Sequence, residues 1–140
     1  MHPNEELVRA EAAAWDTGDP EAVVAFYTPQ VVCDIRGSGP LAGEYRGHEG
    51  IREYYSKCTQ QLEALDELGG GEHDVIANDE HVVRLLEVTG RKGDLEAAWR
   101  IITVYHVRDG RLDRMWVHFD PQDVVDAFTT HVGRTLGEDA

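Results

Sequence analysis

The sequence has few basic residues and no long apolar run. Its 13 lysines and arginines stand against 27 aspartates and glutamates, which gives a formal net charge of −14 with histidine neutral. A surface this acidic repels phosphate groups, so neither nucleic acid nor an anionic membrane surface is expected as a partner. No stretch approaches the roughly 18 apolar residues that a membrane-spanning helix needs.

Cysteine and recognised site motifs are also scarce. Cys33 and Cys58 are too few for a disulfide scaffold and do not form a CxxC pair. The opening MHPNEELV lacks the basic and then apolar order of a secretory signal, so a cytoplasmic protein is expected. The loop at Gly37-x-Gly39 lacks the further glycine of a phosphate-binding loop, and no cofactor is expected. Metal binding is not expected either, because no metal-ligand spacing is formed by His73, His81, His106 and His118.

The first half of the chain has the apolar spacing of helices. Hydrophobic residues make up 41% of the 140 residues, which is typical of one globular domain. Helical spacing predicts a helix over Asn4–Trp15 and another over about His48–Leu65. Between them, Asp19-Pro20 predicts a helix start, because Asp can cap free N–H groups and Pro lacks one. That helix is expected to include Tyr27 and to end before Pro29.

The second half reads as strands and turns. Asp109-Gly110 between two apolar runs is a strong hairpin signal, and Asp120-Pro121 predicts a last helix through about Thr130. Helices followed by hairpin strands favour an α+β fold with an antiparallel sheet. We expect one domain over residues 1–133 and a frayed acidic tail over 134–140. The predicted strands are Val31–Ile35, Asp74–Ala77, Val82–Thr89, Glu96–Val107 and Leu112–Phe119.

The turn at Asp109-Gly110 also predicts which side chains of the last hairpin share a face. It places Arg108 opposite Arg111, and the pairing propagates from there. One face is then mostly aliphatic and suits a core or a subunit contact, while the other mixes aromatic, polar and charged groups as a small-molecule cavity does. A bulge would exchange the two faces. The expected cavity face carries Trp99, Ile101, Thr103, Tyr105, Leu112, Arg114, Trp116, His118 and Asp120.

Four segments of the chain carry a resemblance to a known family. They are WDTGDPEAVVAFYTPQVV, GSGPLAGEYRGHEGIREYY, IANDEHVV and VRDGRLDRMWVHFDPQDVVDAF. In order and spacing they resemble the SnoaL-like branch of the nuclear transport factor 2 superfamily, which includes ketosteroid isomerase and limonene epoxide hydrolase. The resemblance covers about residues 5–130. It implies a conical α+β domain, with N-terminal helices closing a curved, mostly antiparallel sheet around one cavity. It also implies homodimers packed through the outer sheet face.

The resemblance implies an enzyme that needs no cofactor and works through buried carboxylates. Asp34 ends the first strand, where ketosteroid isomerase-like members often place a base. Asp120 ends the last strand, where SnoaL-like cyclases place a catalytic carboxylate. The expected activity is that of an isomerase, cyclase or lyase acting on a hydrophobic carbonyl compound, polyketide- or terpenoid-like. Epoxide hydrolysis is not favoured, because Arg100 is expected on the face opposite Asp120.

Individual roles follow from the chemistry of a closed cavity. A carboxylate in apolar surroundings has a raised pKa, so Asp120 could act as the base with His118 as its partner. Asp120 could equally cap the last helix, and Asp34 could simply pair with Arg36. The expected substrate-binding residues are Tyr27, Tyr55, Trp15, Trp99, Trp116 and Thr103, although the tyrosines and tryptophans could also be core residues.

Two other functions are considered beside an enzymatic one. One is a non-catalytic domain that binds a small molecule, and the other is a homodimeric scaffold without a ligand. An Asp120 that lies in solvent would favour these two, whereas two aspartates in one closed apolar cavity would favour the enzyme.

Overall fold

A six-stranded sheet with helices packed on one face is the frame of the molecule. The computed structural model describes residues 1–138, and the side chains of residues 1–137. The sheet is curved and does not close on itself, as expected for the cone-shaped α+β fold. The helices are α1 (Pro3–Trp15), α2 (Pro20–Val24), α3 (Gly47–Glu63) and α4 (Gln122–Glu138). The strands are β1 (Tyr27–Ile35), β2 (Gly43–Arg46), β3 (Glu67–Ala77), β4 (His81–Lys92), β5 (Leu95–Arg108) and β6 (Arg111–Asp120).

The sheet is mostly antiparallel. Its strand order is β2-β1-β6-β5-β4-β3, and only the β1–β6 pair is parallel among the pairs described. The core lies between the inner face of this sheet and helices α1, α3 and α4. Its most buried side chains include Val8, Val31, Ile51, Leu112 and Val132. No helix within residues 1–138 has the length and apolar character required to cross a bilayer.

The second helix starts as predicted and ends early. Asp19 Oδ1 accepts a hydrogen bond from the Glu21 N–H at 3.0 Å, and Pro20 follows as the first helical residue. The helix ends at Val24, so the expectation that it includes Tyr27 is wrong. Tyr27 instead begins β1, where its ring is buried. Pro29 lies where the β1–β6 pairing shifts register, so its missing N–H removes no regular ladder bond.

One strand was not predicted and another begins earlier than predicted. The short strand β2 is absent from the predicted set, and β3 begins at Glu67 and runs through Gly69–Gly71, whereas the sequence predicted a strand only from Asp74. Gly70 has a φ of 107°, and a Cβ on it would lie 1.9 Å from the Glu87 carbonyl oxygen. Glycine at this position therefore allows a close approach of two strands and does not end the strand.

The last helix is longer than expected. It continues through residues 131–133 and on to Glu138, whereas the sequence predicted a helix to about Thr130 and a frayed tail from residue 134. The tail prediction for residues 139 and 140 lies outside the described residues.

The hairpin at Asp109-Gly110 confirms the predicted turn but not the predicted faces. Both turn residues have positive φ, 51° and 77°, and Arg108 pairs with Arg111 as expected. The register then shifts, so that His106 pairs with Arg114 and Asp113 is an extra residue in β6. This is a β-bulge, and it turns every later side chain of β6 to the opposite face.

Burial of apolar side chains explains the bulge. Leu112 and Met115 are both in the core, with 0% and 4% of their surfaces exposed. They are three residues apart, so a regular strand would place them on opposite faces. One extra residue between them brings both inside. The inner face of β5 and β6 therefore carries Trp99, Ile101, Thr103, Tyr105, Met115, Val117 and Phe119. The outer face carries Arg100, Ile102, Val104, His106, Arg114, Trp116, His118 and Asp120.

Asp126 on α4 holds the loop between β1 and β2. Its carboxylate accepts hydrogen bonds from the backbone N–H groups of Ser38 at 3.1 Å and Gly39 at 3.2 Å, and from the Ser38 hydroxyl at 3.2 Å. Burial alone would raise the pKa of Asp126, but these bonds and one from Gln122 outweigh it and lower the pKa. The anchored loop continues to Leu41, which packs against the buried core.

Replacing Asp126 by Ala should destabilise the protein by about 1–2 kcal/mol, because it removes acceptors for two backbone N–H groups. Asp123→Ala on the same helix should cost only about 0.5 kcal/mol, since Asp123 favours the helix start through its charge alone. Urea unfolding measures both values. Equal losses for the two variants would show that Asp126 does not hold the loop.

Candidate functional site

An apolar pocket of about 650 Å³ opens between the inner face of the sheet and helices α3 and α4. Its walls include Trp99 and Ile101 from β5 and Phe128 from α4. Leu62 and Leu68 also line it and are 43% and 53% exposed, so they mark its mouth. A pocket of this size and composition suits a ligand with a mainly apolar body.

The pocket has few polar groups, and Asp16 and Glu87 are the charged residues among those that line it. Gln61 donates to the Thr129 carbonyl at 3.0 Å, and the Thr129 hydroxyl donates to the Val125 carbonyl at 2.7 Å. Tyr54 and Cys58 lie on the α3 wall. Burial raises the pKa of the Tyr54 phenol well above its usual value and the pKa of the Cys58 thiol to about 12. Both groups therefore keep their protons and can donate hydrogen bonds to a ligand.

A buried carboxyl group lies further inside the cone. Glu11 is on the buried side of α1 with Val8 and Ala14, and only 2% of its surface is exposed. The Tyr27 hydroxyl donates to Glu11 Oε2 at 2.8 Å. Burial raises the pKa of Glu11 to about 7, although the bond from Tyr27 and the charge of Arg84 act in the opposite direction. Glu11 therefore exchanges its proton near neutral pH.

The residues around Glu11 connect it to the pocket. Burial, and then the charge of Glu11, raise the pKa values of Tyr27, Tyr105 and Cys33. Burial raises the pKa of the Tyr54 phenol on the pocket wall, and the nearby Cys58, Cys33 and Tyr105 raise it further. Tyr27, Cys33, Tyr54 and Tyr105 belong to one buried core against which Cys58 packs, and Glu11 joins it through its bond from Tyr27. We call this set of groups the buried polar cluster, and its members are Glu11, Tyr27, Cys33, Tyr54, Cys58 and Tyr105.

The two residues predicted at the end of β6 lie away from this pocket. The Asp120 side chain is 60% exposed and lies 3.7 Å from Arg100 on the neighbouring strand. His118 is exposed and pairs in register with Ile102. The prediction that both face the cavity is wrong, because the bulge at Asp113 turns them to the outer face. Arg100 shares that face with Asp120, which also corrects its predicted position.

Asp34 and Trp116 are on the outer face as well. Asp34 pairs in register with Trp116 across the β1–β6 boundary. Its carboxylate lies 3.9 Å from Arg36, which is the ion pair that the sequence left open as an alternative. The Arg114 guanidinium lies over the Trp116 ring, 5.2 Å from its centroid. The expectation that Trp116 lines a cavity with Trp99 is therefore wrong for the inner pocket.

Among the predicted binding residues, Trp99 is the one that lines the described pocket. Its ring lies 5.5 Å from Phe128, centroid to centroid. Trp15 and Tyr55 pack against each other with ring centroids 4.9 Å apart, behind the pocket wall. Thr103 is buried on the inner face, and Tyr27 is engaged with Glu11. These four residues support the interior around the pocket.

Glu11 is the feature that the sequence analysis missed. On the helix predicted over Asn4–Trp15, Glu11 is three residues from the apolar Val8 and four from Trp15. A carboxylate at that spacing lies on the apolar face of its helix, which is a signal for a buried acid. Within residues 1–138 no three His, Cys, Asp or Glu side chains form a group that could hold a metal ion.

Comparison with known proteins agrees with this architecture. The profile of the SnoaL-like domain matches residues 8–115. The chain belongs to this family. Its fold is that of the nuclear transport factor 2 superfamily, which confirms the resemblance seen in the sequence. No curated protein matches the SnoaL-like chain.

Solved structures share the fold of this SnoaL-like protein at low sequence identity. An NTF2-like protein from Burkholderia xenovorans has 21% identity and a TM-score of 0.78, with 91% of this chain and 95% of that chain covered. TerC co-crystallised with polyporic acid has 21% identity and a TM-score of 0.73, with 91% and 98% covered. A protein of ketosteroid isomerase-like fold from Catenulispora acidiphila, in complex with trimethylamine, has 16% identity and a TM-score of 0.67, with 89% and 92% covered.

Glu11 should make stability depend on pH. Its carboxyl pKa of about 7 in the folded chain is above the ordinary 4.5, so folding takes up a proton between these values. Stability that is fully present below pH 4.5 should be lost as the pH rises through 7, by about 3 kcal/mol in total. Glu11→Gln, which cannot ionise, should escape this loss.

Chemical denaturation at pH 5 and pH 8 measures the effect. Because other carboxylates also titrate, the quantity to compare is the stability difference between wild type and variant at each pH. Glu6→Gln on the exposed side of α1 is the matched control and should follow wild type. If the stability of Glu11→Gln changes between pH 5 and pH 8 as much as that of wild type, the Glu11 carboxyl does not titrate near neutrality in the folded protein.

Proposed function

We propose that this protein binds a hydrophobic, carbonyl-containing small molecule, polyketide- or terpenoid-like, in the pocket between the sheet and helices α3 and α4. The observation that carries the proposal is the pocket of about 650 Å³, with aromatic and aliphatic walls and neutral donors on α3. Apolar walls favour a ligand that loses water on binding, and a few donors orient it. A carbonyl oxygen would accept from Tyr54 without the desolvation cost that a charged group pays.

The family relates the chain to isomerases and polyketide cyclases. Catalysis by Asp120, His118 and Asp34 would require these groups beside the ligand, and all three lie on the outer face. The geometry therefore favours ligand binding over an isomerase, cyclase or lyase that uses those residues. Proton transfer in the pocket would have to use groups of the buried polar cluster.

The relatives of known structure add support. TerC was co-crystallised with polyporic acid, and the Catenulispora acidiphila protein is in complex with trimethylamine. Chains of this fold have therefore been crystallised with small organic molecules, which is consistent with a ligand pocket here.

Filling the pocket tests this proposal. Ile101→Trp should weaken binding of 2-acetylnaphthalene by roughly tenfold or more, because the larger side chain occupies ligand space. Ile102→Trp, on the next residue of β5 but on the outer face, is the matched control and should bind like wild type. Asp120→Asn and Asp34→Asn should also leave the affinity unchanged. Equilibrium dialysis measures the dissociation constants.

Unchanged affinity in the Ile101→Trp variant, with a folded protein by circular dichroism, would overturn this choice of pocket. Failure of the wild type to bind 2-acetylnaphthalene and larger ketones such as anthrone and progesterone would overturn the proposed function.

We further propose that a second copy of the chain covers the outer face of the sheet. This face carries Val104 and Trp116, which are only half-buried in one chain. Half-buried apolar side chains on a sheet face suit a contact with a second copy of the chain.

Disrupting the outer face tests the dimer. Wild type should sediment as a dimer, and Val104→Asp should sediment as a monomer because it places a charge in the apolar contact. Thr89→Asp, at an exposed outer position near the far end of β4, is the control and should stay dimeric. A monomeric wild type at micromolar concentration would overturn this part of the proposal.

We propose that the protein is cytoplasmic. Cys33 and Cys58 are free thiols, with Cys33 fully buried. Two unpaired thiols suit a reducing compartment, where disulfides are rare.

A further inference from the structure

The buried polar cluster lies against the proposed ligand pocket and contributes two residues to its wall. It draws its groups from four elements: Glu11 from α1, Tyr27 and Cys33 from β1, Tyr54 and Cys58 from α3, and Tyr105 from β5. Tyr54 and Cys58 also line the pocket, so a ligand that fills the pocket reaches the cluster at these two residues. Gln61 and Thr129, on the same pocket, already donate to backbone carbonyls, so Tyr54 and Cys58 are the neutral donors left for a polar end of the ligand.

Hydrogen-bond donors dominate the cluster while Glu11 is protonated. Three phenols and two thiols keep their protons because burial raises their pKa values. Arg84 of β4 adds a positive charge near Glu11 and Tyr105, and Glu72 of β3 holds its guanidinium at 3.2 Å. Surroundings rich in donors suit a ligand group that only accepts hydrogen bonds, and a ketone oxygen is such a group.

Loss of the Glu11 proton would change this balance. The carboxylate would place a full negative charge inside the cluster, and it would strengthen the bond that Tyr27 already donates to it and attract other nearby donors. A ligand oxygen would then meet fewer free donors and a repulsive charge, in an interior where charges act more strongly than in water. The affinity of a ligand without an oxygen would not change with the charge of Glu11.

We propose that the buried polar cluster is the subsite for the carbonyl oxygen of the ligand, and that this oxygen binds more tightly while Glu11 holds its proton. The inference rests on the proposed function, because it concerns the same pocket. By linkage, the affinity for a ketone falls as the pH rises through neutrality, and binding above neutrality takes up a proton.

Two probes of matched shape test the inference. 2-Acetylnaphthalene carries a ketone at one end, 2-ethylnaphthalene has a methylene in its place, and neither titrates between pH 6 and pH 8.5. The ketone should bind about tenfold more weakly at pH 8.5 than at pH 6, while the hydrocarbon should bind equally at both. Glu11→Gln should remove the pH dependence for the ketone, and Glu6→Gln should keep the wild-type profile.

Each outcome supports or overturns the proposed subsite. A ketone affinity that does not change with pH, or that changes as the hydrocarbon affinity does, overturns the subsite. A Glu11→Gln variant that keeps the wild-type pH profile overturns the role of Glu11. Binding of 2-ethylnaphthalene needs only the apolar pocket, so its presence without a ketone effect rejects this inference alone. If neither probe binds at any pH, the subsite is rejected, and the proposed function fails as well when anthrone and progesterone also do not bind.

Discussion

One extra residue in β6 decides which side chains the sheet turns inward, and the architecture of the pocket depends on it. Asp113 forms the bulge that allows Leu112 and Met115 to be buried together. Because strand side chains alternate, the bulge also sends Phe119 into the pocket wall and Asp120 to the outer face. The apolar character of the pocket therefore follows from the packing of a few core residues next to a turn.

The interior divides into two chemically different regions as a result. The pocket between α3, α4 and the sheet is mainly apolar, with Gln61 and Thr129 bonded in its wall, whereas the buried carboxyl group of Glu11 lies with Tyr27 further inside. A buried carboxylate is costly, and for Glu11 the raised pKa shifts the group toward its neutral form while Tyr27 supplies a hydrogen bond. The outer face holds ion pairs such as Asp120–Arg100, where solvent or a partner chain can satisfy the charges.

Local signals predicted much of the fold and little of the site. The Asp19-Pro20 helix start and the Asp109-Gly110 turn were correct, because each depends on the backbone preferences of two adjacent residues. The strand through Gly69–Gly71 was missed, because pairing with β4 outweighs the weak strand preference of glycine. The site residues on β6 were misplaced, because one extra residue reverses every face assignment that follows it.

The sequence by itself determined the acidic character, the α+β class with helices before strands, and the family. These follow from composition, from the order of the segments and from local periodicity. Only the tertiary structure decided which carboxyl group is buried. Helical spacing places Glu11 on the apolar face of α1, but the same local reasoning also allowed Asp34 and Asp120 to face the cavity, and only the packing of the whole chain separated the three. The pKa of a carboxyl depends on the groups that the whole fold brings around it, and those groups come from distant parts of the chain.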